Sequence, residues 1–240
     1  MNTMIRGMIS MVLAALMFAS GACGAAQTGQ ANQAVQAIQE IMSAKNANSE
    51  SAEVVQDREF RGVWVSTVIN LDFPSRPGLS NAEMKREIEY IVEHSRSLGL
   101  NAIILQVRPA GDAIYKSALF PWSKYLTGEQ GLPPADGFDP LAYWIQQAHS
   151  HGMELHAWIN PFRVTHPTSR ILDVNLLHPA NPARQRPHLV VTHGNALYFD
   201  PGFPESRQLI IDGVIELLRN YKLDGIHFDD YFYPARNFDD

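Results

Sequence analysis

The amino-acid sequence predicts an α/β fold, and within that class the first half of a (β/α)₈ barrel. Short runs rich in β-branched residues alternate with longer amphipathic segments in the order β-α-β-α-β-α-β, which predicts a parallel sheet with helices between its strands. No glycine-rich phosphate loop follows the first predicted strand, where a dinucleotide-binding sheet would carry it. The connections after the second and third predicted strands are long and polar, as in barrels that build a site there.

Local signals bound the predicted helices. Ser80 with Glu83 three residues later is a capping box, and Gly99 ends the first helix. Asp139 caps the second helix, whose first residue is Pro140. The predicted strands are the runs FRGVWVSTVI, NAIILQVRP, MELHAWINP and DGIHFDDYF, the third helix is ESRQLIIDGVIELLRNYKL, and residues 162–203 are predicted to form a loop.

The chain reaches its last residue, Asp240, soon after the fourth predicted strand. A complete (β/α)₈ barrel typically takes about 250 residues. We therefore expect residues 58–240 to hold the N-terminal half of a barrel domain, a TIM barrel truncated after strand four. Uncovered sheet edges would make such a half-barrel unstable or self-associating, and inactive by itself.

Residues 1–23 have the features of a lipoprotein-type signal peptide. A positively charged start precedes an apolar run of about 11 residues, 8–18, which is too short to span a bilayer. Cys23 follows four small residues, at the place where a lipoprotein precursor is cut and acylated, although Ser20 stands where such signals usually carry Leu. Ordinary signal-peptidase cleavage at a nearby alanine, with Cys23 incidental, is the alternative.

An acylated Cys23 would anchor the protein to a membrane surface without spanning the membrane. We therefore expect an exported protein of the cell envelope, held at the outer membrane or on the periplasmic face of a membrane. Residues 24–57 are rich in Ala, Gln, Asn, Ser and Glu. They are predicted to form a flexible or partly helical tether between the anchor and the folded domain.

The composition is that of a globular protein, and it argues against several functions. The formal net charge of −6 indicates no basic face, so nucleic acid is not expected as a partner. A single cysteine excludes a disulfide framework within the chain. Neither the Gly-x-Ser-x-Gly elbow of serine hydrolases nor the HExxH motif of zinc proteases is present. We expect no cofactor and no bound metal, although His227, Asp229 and Asp230 are residue types that could ligate one.

Strand alternation sorts the predicted strands into two faces. Apolar residues of each strand are expected to face the helices, and the polar residues to face the barrel lumen. Asp230 lies where the fourth strand ends, so its direction is less constrained. The residues expected in the lumen are Gln106, Arg108, His156, Trp158, Asn160, His227 and Asp229.

Two neighbouring carboxyl groups beside a sugar-sized cleft are suited to the cleavage of a glycosidic bond. One carboxyl must give a proton to the leaving oxygen, and the other must be ionised to attack the sugar or to activate water. Because neighbouring carboxylates repel each other, one pKa rises, which can supply the acid. Asp229 and Asp230 are therefore the candidate catalytic residues, one of them with a partner elsewhere.

Aromatic side chains near the same strand ends would offer flat faces to sugar rings: Trp64, Trp158, Tyr231 and Tyr233. Less specific roles remain open for these residues. The two aspartates could cap a loop or pair with Arg108 or Arg163. His156 could be an ordinary interior histidine.

Several segments occur together in an order that resembles a known family. They are RGVWVSTV, LQVRPAGDAIYKS, PWSKYLTG, DPLAYWIQQAHSHGMELHAWINPFRV, DPGFPESR and DGIHFDDYFYP. Over about residues 58–240 they resemble the bacterial glycosyl-hydrolase-like family-10-like (DUF187) domain. The resemblance implies a TIM barrel on an exported or lipid-anchored envelope protein, and one branch of the family resembles enzymes that cut peptidoglycan glycan strands stripped of their stem peptides.

Carried over to this sequence, the resemblance implies Asp229 and Asp230 as catalytic residues. The motif positions that it implies for the substrate cleft are Arg108, Asp112, His156, Trp158, Asn160, Arg163, His227 and Tyr231. Strands five to eight of the family's barrel have no counterpart here, so a catalytic group from those strands is not expected in this chain.

These observations lead to three functional hypotheses. The first is a glycoside hydrolase domain that acts on a cell-envelope polysaccharide, such as peptidoglycan glycan strands, by carboxylate catalysis. The second is a non-catalytic glycan-binding envelope lipoprotein. The third is a metal-dependent polysaccharide deacetylase.

Overall fold

The computed structural model describes residues 36–41, 43 and 59–229. Several sequence-based predictions fall outside the described residues: the signal peptide with Cys23, and the site residues Asp230 and Tyr231. Within the predicted tether, residues 36–41 are helical, and Gln36 Nε2 donates a hydrogen bond of 3.1 Å to Glu40 Oε1. Among the residues described, no helix combines the length and the apolar character needed to cross a membrane.

The strands and helices alternate along much of the described chain. The strands are β1 (Gly62–Val65), β2 (Ala102–Arg108), β3 (Glu154–Ile159), β4 (Val190–His193), β5 (Ala196–Phe199) and β6 (Gly225–Phe228). The helices are α1 (Asn81–Ser97), α2 (Lys124–Thr127), α3 (Pro140–Ser150), α4 (Pro182–Gln185) and α5 (Pro204–Asn220). Single 3₁₀ turns lie in the connections.

The chain divides into two compact units. One comprises Met1–Glu59 and Pro201–Tyr221, and the other comprises Phe60–Asp200 and Lys222–Asp240. The described part of the first unit includes α5, which corresponds to the third predicted helix, has Pro204 at its first position and carries an apolar stripe that is buried. The second unit contains all six strands and the remaining named helices.

The sheet of the second unit is parallel, and its strands follow the order β1-β2-β3-β6. This order follows the sequence without a reversal, whereas a doubly wound sheet reverses its order at a switch point. Amphipathic helices α1 and α3 connect the first three strands. The arrangement is that of a partial α/β barrel, so the predicted fold class is confirmed.

On the two central strands, β2 and β3, one face is apolar and fully buried. α3 packs against β2 and β3, and α1 packs beside α3. The phenyl ring of Phe73 meets the indole of Trp144 edge-on, with 5.3 Å between ring centroids. The other buried apolar residues of this layer include Met84, Ile88, Val92, Ile103, Leu105, Leu141, Leu155 and Ala157. The opposite face of the strands is therefore the one left for polar residues.

The predicted helix starts are confirmed in detail. At the start of α1, the Ser80 hydroxyl accepts a hydrogen bond from the backbone N–H of Glu83, and the Glu83 carboxylate accepts one from the backbone N–H of Ser80. At α3, the Asp139 carboxylate accepts from the backbone N–H of Ala142. These caps satisfy backbone donors that the first turn of a helix leaves without partners.

The prediction of a simple loop over residues 162–203 is wrong. The segment contains helix α4 and an antiparallel hairpin, in which Val190 pairs with Phe199 and His193 with Ala196. Gly194 and Asn195 form the two-residue turn, and Gly194 adopts a positive φ of 55°. A Gly-Asn pair between two β-prone runs is a hairpin signal in the sequence that the loop prediction overlooked.

Candidate active site

The candidate site lies at the carboxyl-terminal edge of the parallel sheet. Ser66 directly follows β1, Asn160 directly follows β3, and Asp229 directly follows β6. Because the strands are parallel, their carboxyl ends meet at one edge, where barrel enzymes carry their sites. Gln106 lies one row deeper, in register with Trp158 on β3, which is itself in register with His227 on β6.

A continuous chain of hydrogen bonds connects the strands at this edge. Asn160 Nδ2 donates to both carboxylate oxygens of Asp229, at 2.9 and 3.1 Å. Gln106 Nε2 donates to Asn160 Oδ1 at 2.5 Å. Gln106 Oε1 in turn accepts from the backbone N–H groups of Thr67 and Val68, both at 2.9 Å, and from the Ser66 hydroxyl at 3.1 Å. Asp229 is thus the end of a buried polar network that begins at the backbone after β1.

Opposing influences act on the Asp229 carboxyl. Burial raises its pKa above the usual value. Hydrogen bonding by Trp158 and Asn160 and the positive charge of Arg163 act in the opposite direction, without cancelling the effect of burial. The indole nitrogen of Trp158 is itself buried without a well-aligned acceptor in the structure. The Trp158 N–H is therefore a donor close to Asp229 whose hydrogen bond to that carboxyl is poorly aligned.

An aromatic cluster lines the same face of the sheet. The Trp64 ring meets the Trp158 ring edge-on at 4.8 Å between centroids, and it meets the His227 ring edge-on at 4.4 Å. Trp64 is 44% exposed, so one aromatic surface is open to solvent. Burial and the neighbouring His156 lower the pKa of His227, whereas the Asp229 carboxylate acts to raise it.

Arg163 supplies the positive charge of the site. It lies in the connection after β3, and its Nη1 donates to the carbonyl oxygen of Pro109 at 3.3 Å. Its charge acts to lower the pKa of Asp229, without reversing the effect of burial. It also acts to lower the pKa of three other titratable groups, Tyr125, His166 and Tyr198. Burial raises the pKa of Tyr125 to about 12.

Arg108 and Asp112 lie beneath the surface of the second connection. Arg108 is fully buried, with its guanidinium carbon 4.0 Å from the Phe120 ring centroid and its Nη2 donating to the carbonyl oxygen of Pro161 at 3.3 Å. Asp112 is 2% exposed and accepts a hydrogen bond of 2.9 Å from Gln130 Nε2, and its burial raises its pKa. Both residues stabilise the loops around the site, and their direct contact with a substrate stays a prediction.

The structure does not bring His156 to the carboxyl-terminal edge. It is in register with Gly225, the first residue of β6, roughly 13 Å along β3 from Asn160. Its ring is 3% exposed, and its Nε2 lies 2.9 Å from Glu154 Oε2. This placement fits the interior-histidine alternative better than a position in the substrate cleft.

The structure thus brings together five of the predicted site residues: Trp158, Asn160, Arg163, His227 and Asp229. Sequence reasoning placed Gln106 in the lumen but missed its contribution to the site. The available signal was a lone amide within the apolar run IILQV. Residues 36–41, 43 and 59–229 contain no group of three or more His, Cys, Asp or Glu side chains placed to hold a metal ion.

Comparisons with known proteins agree on one family. Residues 59–240 match the profile of the glycosyl hydrolase-like 10 family. The glycosyl hydrolase YngK of Bacillus subtilis (strain 168) is 45% identical over 185 residues, which cover 77% of this chain and 35% of that protein. The glycosyl hydrolase DigH of Escherichia coli (strain K12) is 38% identical over 185 residues, 72% of this chain and 42% of that protein. The chain therefore spans well under half the length of these curated relatives.

Solved structures show more distant likenesses. The galactosidase domain of the alpha-galactosidase-sucrose kinase AgaSK has a TM-score of 0.44 and 16% identity, over 74% of this chain and 22% of that one. The maltogenic alpha-amylase AmyB from Thermotoga neapolitana has a TM-score of 0.43 and 16% identity, over 71% and 39%.

Proposed function

Because the chain belongs to the glycosyl hydrolase-like 10 family, we propose that it is a glycoside hydrolase domain that acts on a cell-envelope polysaccharide. The glycan strands of peptidoglycan are the substrate class that we propose first. One observation carries the proposal within the structure. The Asp229 carboxyl lies at the carboxyl-terminal edge of the sheet, partly buried and held by Asn160, and the partly exposed Trp64 contacts the neighbouring rings of Trp158 and His227.

Glycosidic-bond cleavage needs one carboxyl as acid and another as nucleophile or base. Asp229 suits such a role because its environment both desolvates the carboxyl and supplies donors to its charged form. Asp230, the next residue in the sequence, is the other candidate for the acid or the nucleophile. Trp64, with its exposed indole, is proposed to hold a sugar ring against its face, as apolar flat surfaces of sugars and aromatic rings bury each other well.

Purified glycan strands, with and without stem peptides, provide the test. The full-length protein, with a complete barrel, is incubated with each substrate and the products are separated by chromatography, because a half-barrel is expected to be inactive by itself. We expect cleavage of the strands without stem peptides, and loss of that cleavage in Asp229→Asn or Asp230→Asn. The control is Asp136→Asn, which we expect to keep activity. Asp136 is an exposed loop residue with a positive φ of 53°, a conformation that Asn adopts readily.

The outcomes separate the hypotheses. An unchanged product profile in both aspartate variants would show that these carboxyls are not the catalytic pair. Binding of glycan without any product would support the non-catalytic alternative. Retained binding of glycan in Trp64→Ala would argue against the proposal that Trp64 holds a sugar ring.

We also propose that the protein is exported and held in the cell envelope by a lipid on Cys23. The support is the sequence pattern of residues 1–23. A membrane-held glycosidase would meet envelope polysaccharide at high local concentration, because anchoring confines both to the same layer.

A further inference from the structure

Gln106 occupies an unusual position for a polar side chain. It is fully buried in β2, within a run of buried apolar residues, and burying an amide is costly unless its donors and acceptors find partners. Its Oε1 meets three donors, the backbone N–H groups of Thr67 and Val68 and the hydroxyl of Ser66. Its Nε2 meets one acceptor, Asn160 Oδ1.

The backbone determines the direction of every hydrogen bond in this network. The oxygen and nitrogen of a side-chain amide are nearly interchangeable in shape, so their assignment must come from their partners. A backbone N–H can only donate, which requires Gln106 to present its oxygen to Thr67 and Val68. Its nitrogen therefore faces Asn160.

The same reasoning passes one residue further. Because Gln106 donates to Asn160 Oδ1, the amide of Asn160 has its oxygen facing Gln106 and its nitrogen facing Asp229. If Asn160 were reversed, its nitrogen would oppose that of Gln106 and its oxygen would oppose the Asp229 carboxylate. Both contacts would be repulsive, so one orientation is strongly favoured.

We infer that Gln106 is a positioning residue, which holds the N–H donors of Asn160 toward the carboxylate of Asp229. The inference rests on the proposed function, because Asp229 is its reacting group. Gln106 does not touch the substrate in this view. Its effect is to keep Asp229 supplied with donors, and so to favour the charged form against burial.

Two variants test the inference, because they remove different parts of the network. Gln106→Met keeps the length of the side chain and adds no charge, but it removes both the acceptor and the donor. Gln106→Glu keeps the acceptor for Thr67 and Val68 and loses the donor to Asn160. Asn101→Leu is the control, since Asn101 Oδ1 also accepts from a backbone N–H, that of Arg61, but lies roughly 16 Å away, just before the start of the same strand.

The measurement is the titration of Asp229 by NMR in the full-length protein, which is the parent in every comparison, with its carboxyl signal assigned through Asp229→Asn. We expect the midpoint to rise by about one pH unit in both Gln106 variants, the change that loss of one charge-assisted hydrogen bond would produce. The side-chain N–H signals of Asn160 should follow this titration in the parent and cease to follow it in the variants. Among the described residues, the other side chains acting on or coupled to Asp229 are His227, Trp158 and Arg163, and they are unchanged in every variant, as is the neighbouring Asp230.

The two variants also separate charge from orientation. A rise in Gln106→Glu with none in folded Gln106→Met would be an effect of the added charge, and it would overturn the inference. If Gln106→Met does not fold, the Asn160 signals in Gln106→Glu decide, because they report amide orientation rather than charge. Signals that still follow Asp229 in that variant would overturn the inference, as would an equal rise in Asn101→Leu.

Activity gives an independent readout. If the parent cleaves glycan, the Gln106 variants should lose kcat by about tenfold or more while KM stays near the parent value, because a residue that acts only through Asp229 changes the reacting group and not the binding surface. A parent that shows the NMR coupling but no cleavage would contradict the proposed function and leave the positioning role intact. A parent that cleaves glycan but lacks the NMR coupling would support the proposed function and overturn the positioning role.

Discussion

At the scale of single residues, Asp229 illustrates how a site residue differs from a surface carboxylate. Burial alone would favour its neutral form, and the donors of Asn160 and Trp158 with the charge of Arg163 favour its charged form. Such an environment is consistent with the catalytic role proposed for this carboxyl, and it does not favour the stability of the folded state. A group that pays a desolvation cost in the folded state should therefore be replaceable with a gain in stability.

We predict that Asp229→Asn raises the free energy of unfolding at pH 7, by no more than about 1 kcal/mol because solvent screens a partly exposed group. The folded pKa is raised above the usual 3.8, so the folded state binds the proton more tightly than the unfolded chain does. The stability of the parent should then fall as pH rises through the folded pKa, and the variant should lack this fall. Urea unfolding at pH 4 and pH 7 measures the difference, and a variant less stable than its parent at pH 7 would contradict the prediction.

At the scale of elements, helix α1 is defined by its first turn. The Ser80 hydroxyl donates to Glu83 Oε2 at 2.7 Å and accepts from the Glu83 backbone N–H at 3.3 Å. The helix then buries Met84, Ile88 and Val92 at helical spacing. The cap therefore determines the residue at which α1 begins, and with it where the buried apolar stripe of this helix begins.

Ser80→Ala should lower the free energy of unfolding by about 1 kcal/mol, because it leaves a backbone donor of the first turn without its side-chain acceptor. Ser97→Ala, at the exposed end of the same helix, removes a hydroxyl that only donates to the His94 carbonyl and should cost less. Both are measured by urea unfolding at pH 7. Equal losses in the two variants would show that the cap has no special effect.

The elements also show how far the sequence predicts the fold. The cap of α1, the Asp139-Pro140 start of α3 and the four strands of the sheet all carry local signals, and the structure confirms them. The β4–β5 hairpin was missed although its Gly-Asn turn is also a local signal. Its strands have only four residues each, and such short runs are difficult to distinguish from irregular loop.

At the scale of the whole molecule, the limits of sequence reasoning have a different cause. Alternation along the strands correctly predicted that Gln106, Trp158 and His227 share a face. It failed at Arg108, because the register shifts between Gln106 and Arg108 and brings Arg108 into register with Ile159, a residue expected to face the helices. It did not predict that one amide would be oriented by the backbone after β1 and would orient a second amide after β3. Such a relation depends on the register of three strands separated by dozens of residues. Even a correct assignment of strands therefore leaves the network open.

The whole molecule also has to reach its substrate, which brings in the N-terminal region. A glycosidase domain released into solution is diluted, whereas one attached to a membrane stays beside the envelope polymer. If residues 24–57 are a flexible tether, as the sequence predicts, a chain of that length would have a root-mean-square span of about 30 Å, which would let the domain move above the surface. The lipid proposed on Cys23 would therefore affect where the domain acts, and not the geometry of Asp229.

We predict that Cys23→Ser moves the protein from the membrane fraction to the soluble fraction, because each buried CH₂ of an attached acyl chain contributes about 0.8 kcal/mol to membrane binding. Fractionation of cells that express the parent and the variant, followed by immunoblotting, measures the change. The control is Ala26→Ser, three residues further along, and this variant should stay in the membrane fraction as the parent does. If the parent itself is found in the soluble fraction, ordinary signal-peptidase cleavage is favoured. If Cys23→Ser stays in the membrane fraction, something other than this cysteine holds the protein there. The activity of solubilised Cys23→Ser on purified glycan strands should equal that of the parent, since the lipid is proposed to determine location alone.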